Sequence, residues 1–395
     1  MKVVSLTFPG RFEDAFLYMG RLFTITENHS VCVYDMKRII SKLEEEKDLL
    51  DAPTLLFFRN DWIDSEQFRH RLGDELKKKA FLRAIEKLES EPIQITTDFV
   101  QPIEWDLGIT ADILLDLNIY NGRAYIGTNK GLYHLDLDWE AESITPIAKA
   151  QKRLDAKCVH TTARYGTVNA SCGSEGWFSF LDDFDLGASN TRREKHIPEY
   201  SLKTNWLDFD VVNYPTSISP TLFSSVRTAA SQAFSESKQN FDLEQERWIV
   251  TDLEDEEFSL DNLFDNLNHG FSFENLQFVY NSSQALFLST YDEYFFALHL
   301  ERRSSSAPTV SRVSDFKGLK GLVSSLHTIS AGRKPGLILE TDEQILLFAN
   351  CKFIPLFHDE VISIRTFSRS RHYRNIVSIT TSDEIKLIAI FDDKA

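Results

Sequence analysis

The densest collection of reactive side chains is RTFSRSRHYRN, positions 365–375. Arg365, Arg369, Arg371 and Arg374 lie there with His372, interleaved with Phe367 and Tyr373. Guanidinium groups grip carboxylates and phosphates through paired N–H donors, and an aromatic face among them can stack on a base or on another cation. Arg333 and Lys334, in the turn of SAGRKPG, occupy the equivalent connection one repeat earlier. The candidate binding set is therefore Arg333, Lys334, Arg365, Arg369, Arg371, His372 and Arg374. Arginines this close repel one another. They need either a carboxylate supplied by the fold, for which the acidic stretch 242–276 is the first choice, or an external anion such as an acidic protein segment or a phosphate backbone. A solvated linker whose charge offsets the acidic stretch is the plain alternative.

Other candidates offer less. CVHTTARYGTVNASCG brings Cys158, His160 and Cys172 near one another in sequence, but structural zinc takes four ligands in closely spaced pairs, and no such pair or fourth ligand is present. Small buried side chains on neighbouring strands account for them. His358, Asp359 and Glu360 in FHDEV fall in a turn, where consecutive side chains diverge. The chain has no Gly-x-Ser-x-Gly elbow, no phosphate-binding Gly-x-x-x-x-Gly-Lys and no dinucleotide Gly-x-Gly-x-x-Gly. No cofactor and no metal are expected, and an enzyme is unsupported by any linear motif.

The net charge of −17 argues against a general nucleic-acid binder, since like charges repel. It is unevenly distributed. Residues 228–274 hold twelve acids against Lys238 and Arg247, whereas residues 301–374 hold twelve Lys and Arg against seven acids. No run approaches the roughly 18 consecutive apolar residues of a membrane span, and the N-terminus MKVVSLTFPG lacks a signal-peptide core. Four cysteines without a pairing pattern fit a reducing compartment. The expectation is a soluble cytoplasmic protein.

The elements that would position these residues are β-hairpins. Six stretches share one design: GRLFTITENHSVCVYD (20–35), GRAYIGTNKGLYHLD (122–136), GTVNASCGSEGWFSFLD (166–182), SQALFLSTYDEYFFALHL (283–300), PGLILETDEQILLFA (335–349) and RNIVSITTSDEIKLIAIF (374–391). Each is a β-branched or aromatic run, a polar turn and a second run that is apolar on both faces, as a strand covered on both sides must be. The second runs follow one another at 45, 51 and 40 residues, near the roughly 40–50 residues of a propeller blade, with two longer steps. The first long step holds a helical insertion, 36–91, in which Leu72, Leu76, Ala80, Ala84 and Leu88 form one stripe. PIQITTDFV (92–100) beyond it reads as the outer strand of the first blade. The second long step holds the acidic insertion, 228–274, and leaves 203–228 as a worn hairpin. Leu55, Leu56, Phe57, Phe58 and Trp62 make the helical insertion too apolar for a free linker, so it either caps the sheets or presents a binding patch. The acidic insertion, with Trp248, Phe258 and Phe264 among its carboxylates, either packs back on the protein or docks on a partner.

AYIGTNKGLYHLDL resembles the short repeats of β-propeller sensor domains, in which a strand ending in Gly-Thr turns through polar residues into Gly-Leu-Tyr. The recurring Gly-His and Trp-Asp signatures of WD repeats are missing, so the resemblance is to a WD40-like shape and not to the WD40 family. It implies an all-β fold: a single closed β-propeller over 1–395, of seven blades counting the worn hairpin, with the helical and acidic insertions. Such rings often close by lending an N-terminal strand to the last blade, and KVVSLTF, opposite IKLIAIF, suits that role. Two separate β-sandwiches would leave the spacing unexplained. Two functions are in view. One is a non-catalytic scaffold or sensor subunit that recognises a protein partner, or through the basic loop a nucleic acid, with its rim loops and insertions. The other is an enzyme or small-ligand binder that uses the central channel.

Overall fold

The structure is a computed structural model that describes residues 1–47, 49, 51–91, 93–109, 113–139, 144–182, 194–207, 210–215, 224–227, 240–242, 247–249, 258–259, 276–282, 285–291, 295–301, 309–315, 323–331 and 334–392. It is built of antiparallel meanders that follow one another along the chain, which is the β-propeller arrangement. Six sheets are such meanders. The first orders Phe12–Tyr18, Arg21–Thr26, Val31–Asp35 and Ile103–Trp105. The others begin with Leu114–Tyr120, His160–Arg164, Lys203–Leu207, Leu276–Asn281 and Val323–Ala331. All the hairpins expected from the turn chemistry are present as antiparallel pairs, the worn one (Lys203 opposite Tyr214) included.

The strand pairing gives six meander blades where seven are expected, because the remaining sheet is not made of consecutive strands. It orders Ser363–Thr366, Ile376–Thr380 and Glu384–Phe391, then the first strand, Lys2–Pro9, and finally Ile93–Gln94. Lys2 lies opposite Phe391 and the register runs unbroken to Pro9 opposite Glu384. Ile93 pairs in parallel with Leu6. The expected outer strand of the first blade is thus placed elsewhere, and Ile103–Trp105 takes that position against Val31–Val33. The physical reason is burial: beside the first strand, Ile93 and Ile95 are buried in the cluster around Leu6 and Phe8.

The chain divides into two compact units, one of residues 1–110, 137–149 and 326–395, the other of 111–136 and 150–325. In the first, the strand Lys2–Pro9 has both faces covered. Val4, Leu6 and Phe8 are fully buried with Ile385, Leu387 and Ala389, whereas Val3 turns to the cluster of Ile338, Ile345, Val377 and Ile388. The helical insertion supplies part of the first cluster. It comprises α1 (Met36–Lys47), α2 (Ala52–Phe57), a 3₁₀ turn (Asn60–Asp64), α3 (Glu66–Leu72) and α4 (Glu75–Ser90). The expected continuous helix breaks at Gly73, and Asp74 restarts it by accepting from the N–H groups of Leu76 and Lys77. The buried stripe of α4 is then Phe81, Ala84, Ile85 and Leu88, and Leu76 is 80% exposed. Lys2 and the Val3 N–H hold Glu89 at its far end.

In the second unit, Asp116 on the strand Leu114–Tyr120 accepts from the N–H and hydroxyl of Thr161 on the next sheet, each at 2.6 Å. Arg123 pairs with the fully buried carboxylate of Asp182 at 2.9 Å. The acidic insertion lies almost wholly outside the described residues. Of it, Phe258–Ser259 pairs with Ser224–Arg227 and belongs to the fourth meander. No described helix is long and apolar enough to cross a membrane.

Candidate interaction site

Three segments of the first unit meet at Gly20. A two-residue turn joins Phe12–Tyr18 to Arg21–Thr26 and requires positive φ at Met19 (43°) and Gly20 (79°). Phe58, just past α2, fills the space a Gly20 side chain would take, its ring 2.8 Å from that Cβ position. The Gly20 N–H donates to the Tyr373 hydroxyl at 2.5 Å, which fixes the connection 367–375. Burial pushes the Tyr373 phenol up to about 12, with the Gly20 hydrogen bond and the Arg21 and Arg59 charges opposing. The Ser370 side chain shapes this connection by accepting from the N–H groups of His372 and Tyr373, both at 3.2 Å.

The basic residues of this connection are brought together with partners that the sequence did not disclose. Asp61, from the 3₁₀ turn, is the centre: its side chain is 8% exposed, it accepts from Arg59 Nε at 3.0 Å and Nη2 at 3.2 Å, and it lies 2.9 Å from His372 Nδ1 and 3.3 Å from Arg371 Nε. Arg374 Nε reaches Asn60 Oδ1 at 3.4 Å, and the Asn60 N–H donates to the His372 carbonyl at 3.1 Å. Arg365 points elsewhere. It forks onto Asp14, with Nε at 2.8 Å from Oδ1 and Nη2 on Oδ2, and lies over the Phe16 ring. Ser363 also donates to Asp14, at 3.0 Å. Arg369 is exposed. Lys334 opens the strand Lys334–Thr341, and Arg333 lies outside the described residues. The strand before them adjoins the connection, since the Ser330 N–H donates to the Arg374 carbonyl at 2.7 Å.

The described carboxylates that meet Arg365 and Arg371 are Asp14 and Asp61; the segment 242–276, the first choice for that role, lies almost wholly outside the described residues. Phe367 and Tyr373 are buried, their ring centroids 6.4 Å apart, and so are not the exposed stacking surface expected of them. The exposed aromatic is Trp62, at 45%, with the Arg59 guanidinium 4.4 Å from its ring centroid. It borders a cleft of about 590 Å³ lined by Leu55, Arg59, Asp61, Phe68 and Arg371 among others. Met19 is 62% exposed in the turn against Phe58, and Tyr18 meets Trp139 edge-on at 5.5 Å. Arg59, Asp61, Met19 and Trp139 are thus further members of the site. Only the run FFRNDWID, with opposite charges beside aromatics, signals any of them in sequence.

Asp61 titrates below the ordinary carboxylate range. Burial alone would raise it, but hydrogen bonds from Arg59 and His372, with their charges, outweigh burial. A depressed folded value means that its stabilisation is present above the unfolded carboxylate value of about 4 and is lost as the pH falls through the folded one. Asp61→Asn is expected to cost about 1–2 kcal/mol at neutral pH, its partners being partly exposed. The gap from the unsubstituted chain should close in acid. Denaturant unfolding at neutral and acidic pH measures it, and a gap independent of pH would contradict this account.

The remaining candidates stay apart. Cys158 and Cys172 are buried in an apolar cluster with Val168 and Phe180, and the hydrogen bond to Cys172, with burial, pushes the Cys158 thiol up. His358, Asp359 and Glu360 are exposed in their turn. No group of three His, Cys, Asp or Glu among the described residues could hold a metal ion.

No protein-family model and no curated protein matches the chain. Among solved structures it is similar to the β-propeller domain of Myceliophteria thermophila Cps50 (Swd1), with 7% identity, 96% of each chain covered and a TM-score of 0.48. The N-terminal domain of Nup159 gives 10% identity, 96% of this chain, 89% of that one and 0.44. Kluyveromyces lactis Hsv2 gives 10%, 68%, 71% and 0.39. At these scores the likenesses carry no argument, and the propeller arrangement rests on the strand pairing.

Proposed function

We propose that the chain is a non-catalytic interaction subunit of the cytoplasm, a scaffold or sensor. On this reading residues 1–395 form one closed propeller of seven blades, the composite sheet serving as the seventh, and the protein partner is met by the loops and helical segment around Gly20. The observation that carries the reading is the exposed pair of Trp62 and Arg371 at the cleft, with Met19 exposed in the turn whose Gly20 packs on Phe58. Trp, Met and Arg are the residue types enriched in protein interfaces, and a solvated face gains nothing from showing them. A protein is favoured over a nucleic acid because Arg365, Arg371 and His372 already face carboxylates, the aromatic rings between them are buried, and the whole chain is strongly acidic. Arg333, Lys334, Arg369 and Arg374 are assigned to the rim of the same surface, and the acidic insertion 228–274 to a second contact.

Met19→Ser combined with Trp62→Ser is expected to leave stability within about 0.5–1 kcal/mol, since both side chains are exposed. The immobilised full chain should retain proteins from its native lysate that the double variant does not. Identical retention by both would overturn the assignment of this surface.

A further inference from the structure

We propose that Cys158 and Cys172 are a site of oxidative crosslinking: a disulfide that closes as the chain folds in contact with glutathione disulfide, tying the entry of the third meander to its second strand, Thr167–Ser171. The inference is independent of the partner surface around Gly20. A β-bulge brings the two residues together. Ser171 lies opposite His160, yet its carbonyl accepts from the Val159 N–H at 2.8 Å, so two residues face one and the register steps back by one. Cys158 then falls opposite Cys172 instead of Gly173. Directly opposed residues of antiparallel strands have Cα atoms about 4.5–5.5 Å apart, inside the span that a disulfide bridges. The two thiols are hydrogen-bonded to each other, and each also lies 3.8 Å from a carbonyl of its own segment, His160 for Cys158 and Ala170 for Cys172. Cys158 has little room to move away. Its N–H donates to the Thr128 carbonyl at 2.9 Å, and a Cβ at Gly127 would stand 2.7 Å from its carbonyl oxygen and 3.3 Å from its sulfur.

The step is thiol–disulfide exchange. One thiolate attacks a sulfur of glutathione disulfide and releases one glutathione thiolate. The second thiolate attacks the protein sulfur of that mixed disulfide and releases the other. The cysteine pair gives up two electrons and two protons, which end on two glutathione thiols. In the folded chain Cys158 is 0% and Cys172 2% exposed, which closes both sulfurs to a tripeptide oxidant. The crosslink therefore forms during folding, after the two strands have paired and before Tyr125 and Leu132 of the second meander cover them. Where reduced glutathione dominates, the pair stays open.

The test is cell-free synthesis of the full chain in a buffer of glutathione and glutathione disulfide, so that folding proceeds in contact with the oxidant. Free thiols are then alkylated in denaturant, and tryptic peptides are identified by mass spectrometry without reduction. Cleavage after Lys157 and Arg164 separates the two cysteines. The peptide beginning at Cys158 is expected to be joined to the one beginning at Tyr165 in the majority of chains, with Cys32 and Cys351 linked to neither. On titration with reduced glutathione, the crosslink should survive a ratio at least about tenfold more reducing than the one that strips glutathione from the exposed Cys351, because two sulfurs held together act at a high effective concentration. The thermal midpoint of the crosslinked chain should lie about 3–8 °C above that of the same chain after reduction, since a crosslink that fits the native positions constrains only the unfolded state. Cys158→Ser should remove that difference. Full alkylation of Cys158 and Cys172 at every ratio, or Cys158 joined as often to Cys32 or Cys351 as to Cys172, would overturn the proposal. A crosslinked chain that melts at or below the reduced one would overturn it as well, because the bond would then pull the two residues out of their native places.

Discussion

Deleting residues 1–8 is expected to abolish cooperative unfolding at the position of the full chain. The strand Lys2–Pro9 lies between Glu384–Phe391 and Ile93–Gln94, so its removal exposes two edges together. Val4, Leu6 and Phe8 are fully buried, and α4 loses the anchor of Glu89 on Lys2 and Val3. Truncating a single buried Phe or Leu costs about 2–5 kcal/mol, and the sum over three such residues is of the order of the about 5–15 kcal/mol that holds an ordinary domain folded. Phe8→Ala alone, which keeps the backbone pairing, should cost about 3–5 kcal/mol. Urea unfolding followed by circular dichroism measures both. A truncated chain with the same midpoint and slope as the full chain would show that the pairing contributes nothing.

Asp14→Ala is expected to be nearly as damaging, at about 2–4 kcal/mol, because it strands the Arg365 guanidinium and the Ser363 hydroxyl in a largely buried place. Arg365→Leu removes the charge instead of stranding it and should cost less. Combined with Asp14→Ala it should recover part of the loss, since a strand-to-strand ion pair replaced on both sides leaves no buried charge. The double-mutant cycle is the measurement, and strictly additive losses would mean that the two side chains are not coupled. The same cycle separates Arg365 from the rest of the basic loop. A clamp between strands of two sheets changes stability, whereas a partner contact changes binding.

The hairpins were legible because turn and strand are local: Asn, Asp and Gly between two apolar runs leave little choice. The role of the first strand was legible for a related reason, as the alternation of Val4, Leu6 and Phe8 needs a covered face. The site was less so. Asp61 lies some three hundred residues from Arg371 and His372, and nothing in spacing or composition announces which of 60 acids a given arginine will meet. The stripe through Leu76 failed because Gly73 and Asp74 restart the helix, which rotates its buried face to Phe81 and Ile85. One repeat was readable but lies a strand earlier than the turns that suggested the blades. DAFLYMGR and DLNIYNGR, at 14–21 and 116–123, put a buried Asp after a bulge, a Tyr before a positive-φ turn, and an Arg that pairs across to Asp35 or Asp136. The position of each Asp was visible. Its partner was not, being Arg365 for one and Thr161 for the other.

The pairing of Lys2–Pro9 with Glu384–Phe391 also sets the order of events during synthesis. The strand Lys2–Pro9 is made hundreds of residues before its principal partner, Glu384–Phe391. At about 5–20 residues per second, the two are separated by tens of seconds in which Val4, Leu6 and Phe8 have no Ile385, Leu387 or Ala389 to cover them. The intervening meanders can form meanwhile from neighbouring strands, but this sheet must wait for Glu384–Phe391, with a large loop to close. A nascent chain halted before residue 384 therefore carries Lys2–Pro9 as an apolar strand without its principal partner, a form that holdase chaperones and proteases recognise.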